Sequence, residues 1–180
     1  MVVTNGRVDD TGEPGRPFQQ PPQVFANLGD HFQLMKVSDP SHYFGSDHVG
    51  RALARLDFNR DGKSDFVVTH LESPSALLIN RTETNNHWLQ VQLVGTQCER
   101  DAIGAKIGVR CGDQQWTGWV TAGDGYLCHN ESIVSFGLGG SAELAELVVT
   151  WPTGEQQHFK SVAIDHRILI VQGQATVFPL

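Results

Sequence analysis

The chain has 180 residues, with 13 Lys and Arg against 20 Asp and Glu, a formal net charge of −7. That length fits one ordinary domain or two small ones. The acidic balance argues against a binder of the nucleic-acid backbone, which needs a basic footprint, and no stretch reaches the ~18 apolar residues of a membrane span.

The 19 Gly and 8 Pro, with only 2 Met, give the profile of many short strands joined by turns. The first residues, Met1-Val2-Val3-Thr4-Asn5-Gly6, lack the apolar block of a signal peptide. Either the chain stays in the cytoplasm, or Met1 is not the natural start and this is part of something longer. Val2-Val3 reads as the end of a strand, and residues 6–23 as a turn-rich loop. Residues 23–27 and 31–34 alternate across Asn27-Leu28-Gly29-Asp30, a hairpin signal. Further strands are expected at 51–56, 66–70 and 76–80. Four short antiparallel strands of this kind make one blade of a β-propeller. A lone blade has two exposed faces and cannot bury enough area by itself.

The polar run 81–87 marks a boundary between residues 1–83 and 84–180. Beyond it, strands are expected near 88–93, 105–109, 116–120, 132–136, 144–151, 158–159 and 168–171. About seven short strands without a long amphipathic helix argue a β-sandwich or barrel. Residues 144–151 form an apolar run that suggests burial on both faces, and Trp88 and Trp151 sit inside apolar strands, as core residues do. The fold class is therefore all-β, a partial propeller blade followed by a sandwich or barrel.

One constellation carries chemistry. Residues 57–65 place Asp57, Asn59, Asp61 and Asp65 at positions 1, 3, 5 and 9 of a loop with Gly62 at position 6. Ca²⁺ wants six to eight oxygens. The i, i+2, i+4 spacing collects three side chains on one side of a curled loop, and the Lys63 carbonyl at position 7 adds a ligand. Position 12 is Val68, not the bidentate Glu of an EF-hand, so the expectation is a calcium loop between two strands. The simpler alternative is an Asp/Asn/Gly-rich hairpin that merely turns. By contrast, residues 133–142 hold a GxGxxA pattern that lacks the following helix of a dinucleotide site, and its glycines read as a tight loop between strands.

The three cysteines Cys98, Cys111 and Cys128 form no CxxC pair, so a structural zinc site is poorly supported. They read as one disulfide plus a spare thiol, or as three buried thiols. Arg100-Asp101 and Gly123-Asp124-Gly125-Tyr126 are polar turns beside strands, explained by loop-fixing hydrogen bonds and a positive φ at Gly125. The functional alternative is a ligand surface of Arg100, Asp101, Trp116, Trp119, Asp124 and Tyr126, since sugar recognition joins aromatic faces to polar side chains.

Five segments carry a resemblance. They are residues 86–95, opening Asn86-His87-Trp88-Leu89; Arg100-Asp101-Ala102-Ile103-Gly104-Ala105; Gly123-Asp124-Gly125-Tyr126-Leu127; Phe136-Gly137-Leu138-Gly139; and Val149-Thr150-Trp151-Pro152-Thr153-Gly154. In this order the second half resembles the ASPIC/UnbV domain of the cartilage acidic protein family. Through Gly50-Arg51-Ala52-Leu53-Ala54 and residues 57–65, the first half resembles the FG-GAP or VCBS-type calcium-binding repeat that precedes it.

The resemblance implies that the remainder of an N-terminal propeller is missing. It also implies a secreted or cell-surface protein, periplasmic if bacterial, with Ca²⁺ as the bound ion. No catalytic residues carry over. The family pattern has Ser where Cys98 and Cys128 stand, which implies a Cys98–Cys128 disulfide with Cys111 left over. The function expected is a non-enzymatic, calcium-stabilised binding or adhesion module whose partner is a polysaccharide or a surface protein. An enzyme or enzyme-assembly accessory is the second reading, and a cleft gathering Asp101, Asp124 and His129 would favour it.

Overall fold

The computed structural model describes residues 1–71, 73–141, 143–144 and 146–180. Among these the chain is all-β, with a single 3₁₀ turn at Tyr43–Gly45 and no helix long and apolar enough to cross a membrane. Residues Met1–Leu56, Asp65–Ile79 and Gly123–Asn130 cluster as one compact unit. Residues Asp57–Ser64, Asn80–Ala122 and Glu131–Leu180 cluster as a second.

The first unit holds two three-stranded antiparallel sheets. One is β1 (Val2–Val3), β2 (Gln23–Asn27) and β3 (Phe32–Met35); the other is β4 (Gly50–Leu56), β5 (Asp65–His70) and β6 (Ala76–Leu78). The β4-β5-β6 sheet is an antiparallel meander of three strands, one short of a full blade. Between β3 and β4 the chain makes the Tyr43–Gly45 turn, where the Tyr43 ring stacks on His48 at 4.4 Å and its hydroxyl lies 2.8 Å from His70 Nε2. The four residues of β3 are exposed, Phe32, Leu34 and Met35 among them.

In the second unit the strands are β7 (His87–Val94), β8 (Lys106–Cys111), β9 (Gln114–Trp119), β10 (Val134–Gly139), β11 (Glu146–Thr150), β12 (Gln156–Phe159), β13 (His166–Val171) and β14 (Val177–Pro179). They form two four-stranded sheets, β10-β7-β13-β14 and β12-β11-β8-β9. Side chains alternate between faces along a strand. Leu89, Val91 and Leu93 of β7, Phe136 and Leu138 of β10, and Ile168 and Ile170 of β13 therefore point into one core. Ile107 and Val109 of β8 and Leu147 and Val149 of β11 meet them there. Burying each such side chain stabilises by about 1.5–3 kcal/mol. This is a β-sandwich.

Several expectations are corrected. β11 is buried on one face only: Leu147 and Val149 are fully buried, while Glu146, Val148 and Thr150 are partly exposed. Ala145, inside the apolar run, lies outside the described residues. Trp151 is a core residue, but Trp88 is only half-buried and points away from Leu89 and Val91. The glycines of the GxGxxA pattern lie in and at the end of β10, with a register shift between Gly137 and Gly139, and its terminal Ala142 lies outside the described residues. Strand β14 was not expected; it is three residues long and ends on Pro179, which cannot donate to a ladder.

Candidate functional site

The loop from Asp57 to Ser64 is wound around one carboxylate. Asp57 Oδ1 accepts from the Asp61 N–H at 3.1 Å, and Oδ2 accepts from the Gly62 N–H at 2.8 Å. Asp61 in turn accepts from the Lys63 N–H at 2.9 Å, the Asn59 side-chain amide at 3.0 Å and the Lys63 ammonium at 3.4 Å. Partial burial pushes the Asp61 carboxyl up, but these donors outweigh it and hold the group below its ordinary value.

Gly62 makes the winding possible. Its φ is +81°, and a Cβ there would lie 2.2 Å from the Trp88 ring. The left-handed conformation costs a non-Gly residue about 1–2 kcal/mol, and overpacking about 1–3 kcal/mol more. Gly62→Ala is accordingly expected to lower the melting temperature by several degrees, at about 2–4 °C per kcal/mol. A melt equal to the parent's would show that the close packing on Trp88 is not needed.

A buried polar chain fixes the loop within the second unit. Asp57, 6% exposed, accepts a third bond from Gln90 Nε2 at 2.8 Å. Gln90 Oε1 accepts from Arg167 Nε at 2.9 Å. The other two guanidinium nitrogens of Arg167 donate to both oxygens of Glu131, at 2.6 and 3.2 Å. Glu131 Oε2 closes the ring by accepting the Asp57 N–H at 3.1 Å. Gln90 and Arg167 are direct partners on the parallel strands β7 and β13, which is why their side chains meet. The sequence offered no sign of this network.

An ionised carboxylate offers about four lone-pair sites, and protein donors take three each on Asp57 and Asp61. The donors suit a hard cation in kind, being carboxylate and amide oxygens. Among the described residues no three His, Cys, Asp or Glu side chains gather, so a cation in this loop would have to draw on the Asn59 amide and on backbone oxygens as well as on carboxylates. A cation at Asp61 would have to displace the Lys63 ammonium. Asp65 belongs to the first unit, where it opens β5 opposite Leu56 and is fully buried.

The structure does not assemble the expected ligand surface. Trp116 and Trp119 lie on opposite faces of β9: Trp116 packs against the core, and Trp119 is 56% exposed. Arg100 and Asp101 are exposed in the loop before β8, where Glu99 accepts the N–H groups of Asp101 and Ile103. Asp124, Tyr126 and His129 belong to the first unit, while Asp101 belongs to the second. Asp124 accepts from the Asn130 side-chain amide at 3.2 Å, and Tyr126 is 70% exposed. Gly125 has no positive φ; it is needed because a Cβ there would lie 2.3 Å from Cys128 Sγ.

The Cys98–Cys128 disulfide is absent: all three cysteines are free thiols. Cys98 Sγ lies 3.4 Å from the Gln172 side-chain oxygen, and Cys128 Sγ lies 3.2 Å from the Leu53 carbonyl, so each has its own acceptor. Burial pushes the Cys111 thiol above its ordinary range.

Another pair missed by sequence reasoning is His87 with Asp165, at 2.8 Å. Asp165 also accepts the Trp88 N–H and donates its own N–H to the Trp88 carbonyl. These bonds pin the entry of β13 beside the start of β7, and so set the register of the parallel pair.

Residues 95–177 match the ASPIC and UnbV family model. The match runs from the end of β7 to the first residue of β14, and so takes in β8 to β13 of the sandwich. It includes Arg100, Asp101, Asp124 and Tyr126 and does not include the 57–65 loop. Over 128 residues, 68% of the chain, the sequence is 32% identical to cartilage acidic protein 1 of Xenopus tropicalis. Over the same share it is 34% identical to the Homo sapiens protein and 33% to that of Mus musculus. The chain spans 19% of the length of each of these relatives.

Proposed function

We propose that this chain is a non-enzymatic extracellular binding module in which Ca²⁺ stabilises the 57–65 loop. One observation carries the reading. The loop is wound on Asp57, and Asp57 is bonded into the sandwich through Gln90, Arg167 and Glu131. A charge that settles the loop therefore stabilises the second unit as well. Asp57, Asn59, Asp61 and the Lys63 carbonyl would supply the oxygens. The Lys63 ammonium would turn away from Asp61 as the ion enters.

The extracellular assignment draws on the relatives, which are named for cartilage and for acidity; the net charge of −7 is in keeping with that name. The exposed Phe32, Leu34 and Met35 of β3 suit an edge that another β element covers, in line with a propeller. Of the two partner classes we propose the polysaccharide, for an exposed indole with an ammonium and hydroxyl side chains beside it on one sheet face.

Thermal melts in excess EDTA and in millimolar Ca²⁺ test the reading. A ligand at a hundred times its Kd stabilises by about 2.7 kcal/mol. For a chain of this size that is a rise of roughly 5–10 °C. The rise is expected to vanish in Asp57→Ala/Asp61→Ala. Coincident melts in EDTA and Ca²⁺ would remove calcium from the proposal and leave the loop a turn held by its own hydrogen bonds.

A further inference from the structure

The outer face of the β12-β11-β8-β9 sheet is a built surface that the calcium loop does not use. Ile107 and Val109 of β8 point into the core, so Lys106, Gly108 and Arg110 stand on the opposite face. Pairing sets each of them between two neighbours. Lys106 lies between Trp119 and Thr150, Gly108 between Thr117 and Val148, and Arg110 between Gln115 and Glu146. The middle row is low. A Cβ on Gly108 would meet nothing closer than the Val148 carbonyl at 4.0 Å. The result is a trough of about 330 Å³ floored by Gly108 and Val148 and walled by polar side chains.

Two features give the trough a ligand class. The first is Trp119, which stands outside the trough's own lining, beside its Lys106 end: an indole left 56% exposed, with the Lys106 ammonium 5.9 Å from its ring centroid. A π face with hydrogen-bonding side chains beside it suits a sugar ring, whose C–H face stacks while its hydroxyls bond. The second is charge. Among the described residues Lys106 has no carboxylate partner. Arg110 shares Glu146 at 3.4 Å with His158 at 3.1 Å. The face thus sets two fixed cations against one carboxylate, within a chain of net charge −7. Lys106 and Arg110 are four positions apart on β8, about 13 Å along an extended strand, the reach of a short oligosaccharide rather than of one ring.

We infer that this trough binds an acidic, uronate-bearing polysaccharide. One ring stacks on Trp119, carboxylates meet Lys106 and Arg110, and Thr117 and Thr150 take hydroxyls. This rests on the binding-module reading and gives it a face and a ligand class.

Affinity electrophoresis of the 180-residue chain tests it, in gels containing polygalacturonate or its fully methyl-esterified counterpart. The two polymers share a backbone and differ in charge. Polygalacturonate is expected to retard the chain, and the neutral ester to retard it less. Trp119→Ala is expected to weaken binding about tenfold, equivalent to about 1.4 kcal/mol. Lys106→Gln is expected to weaken binding to polygalacturonate several-fold and to leave binding to the ester unchanged. Both side chains are exposed, and circular dichroism checks that the variants fold. Retardation that survives Trp119→Ala unchanged would overturn the site while leaving a glycan-binding module. Preference for the ester would overturn the acidic ligand alone. No retardation by either polymer, alongside a normal Ca²⁺-dependent melt, would overturn the trough and leave the calcium loop standing.

Discussion

Arg167→Ala is expected to lower the free energy of unfolding by about 3 kcal/mol, the low end of the cost of removing one partner from a buried ion pair, because the Glu131 side chain is 31% exposed. Arg167 is 9% exposed, and all three of its guanidinium nitrogens donate, one to Gln90 and two to Glu131. Truncation leaves Gln90 Oε1 without its donor, and Glu131 with only the Asp57 N–H. Against a typical net stability of about 5–15 kcal/mol, this is a large share. Urea unfolding gives the value, read as a lower midpoint at constant m. A double-mutant cycle with Glu131→Ala should return a coupling of 0.5–3 kcal/mol, the usual scale for residues in one network. A total loss below about 1 kcal/mol would mean that the pair behaves like a surface ion pair, and that Asp57 is not held by the sandwich.

Trp151→Ala is expected to cost about 3–5 kcal/mol, the range for emptying a buried aromatic site. Trp151 follows β11, is 2% exposed, and is the largest of the fully buried side chains. Its indole N–H donates to Gln157 Oε1 at 2.6 Å, an oxygen that also accepts the Gly173 N–H. The substitution therefore removes core volume and one of two donors to that oxygen. For a chain of this length the melting temperature should fall by roughly 10 °C. Trp151→Phe, which keeps most of the volume and loses only the N–H, should fall by less than half as much. A fall below about 3 °C for Trp151→Ala would mean that the core closes over the gap.

The curled 57–65 loop was legible in part. Spacing alone predicts that Asp57, Asn59, Asp61 and Gly62 form a curled loop, because an Asx side chain reaches backbone N–H groups a few residues on, as Asp57 and Asp61 do here. Spacing does not reveal Gln90, Arg167 or Glu131, which lie 33 to 110 positions away along the chain. Nor does it reveal that Lys63 pairs with Asp61. The expected ligand surface fared worse. Trp116 and Trp119 are three apart, and along a strand three positions reverse the face. The sequence already contained that separation; it was the grouping by residue type that ignored it.

What the sequence determined by itself was local. Period-2 alternation and turn residues place most of the strands of the sandwich within a few positions, because both signals come from neighbours along the chain. Partnership was decided by the tertiary structure. β7 pairs in parallel with β13, some 80 residues later, and no turn between them encodes the pairing. That parallel pair brings Arg167 beside Gln90, and the β8–β9 pair brings Lys106 beside Trp119. Residues Asp57–Ser64 cluster with the second unit although they precede the polar run at 81–87. Burial, unlike periodicity, depends on which surfaces meet, and that is settled by the whole core at once.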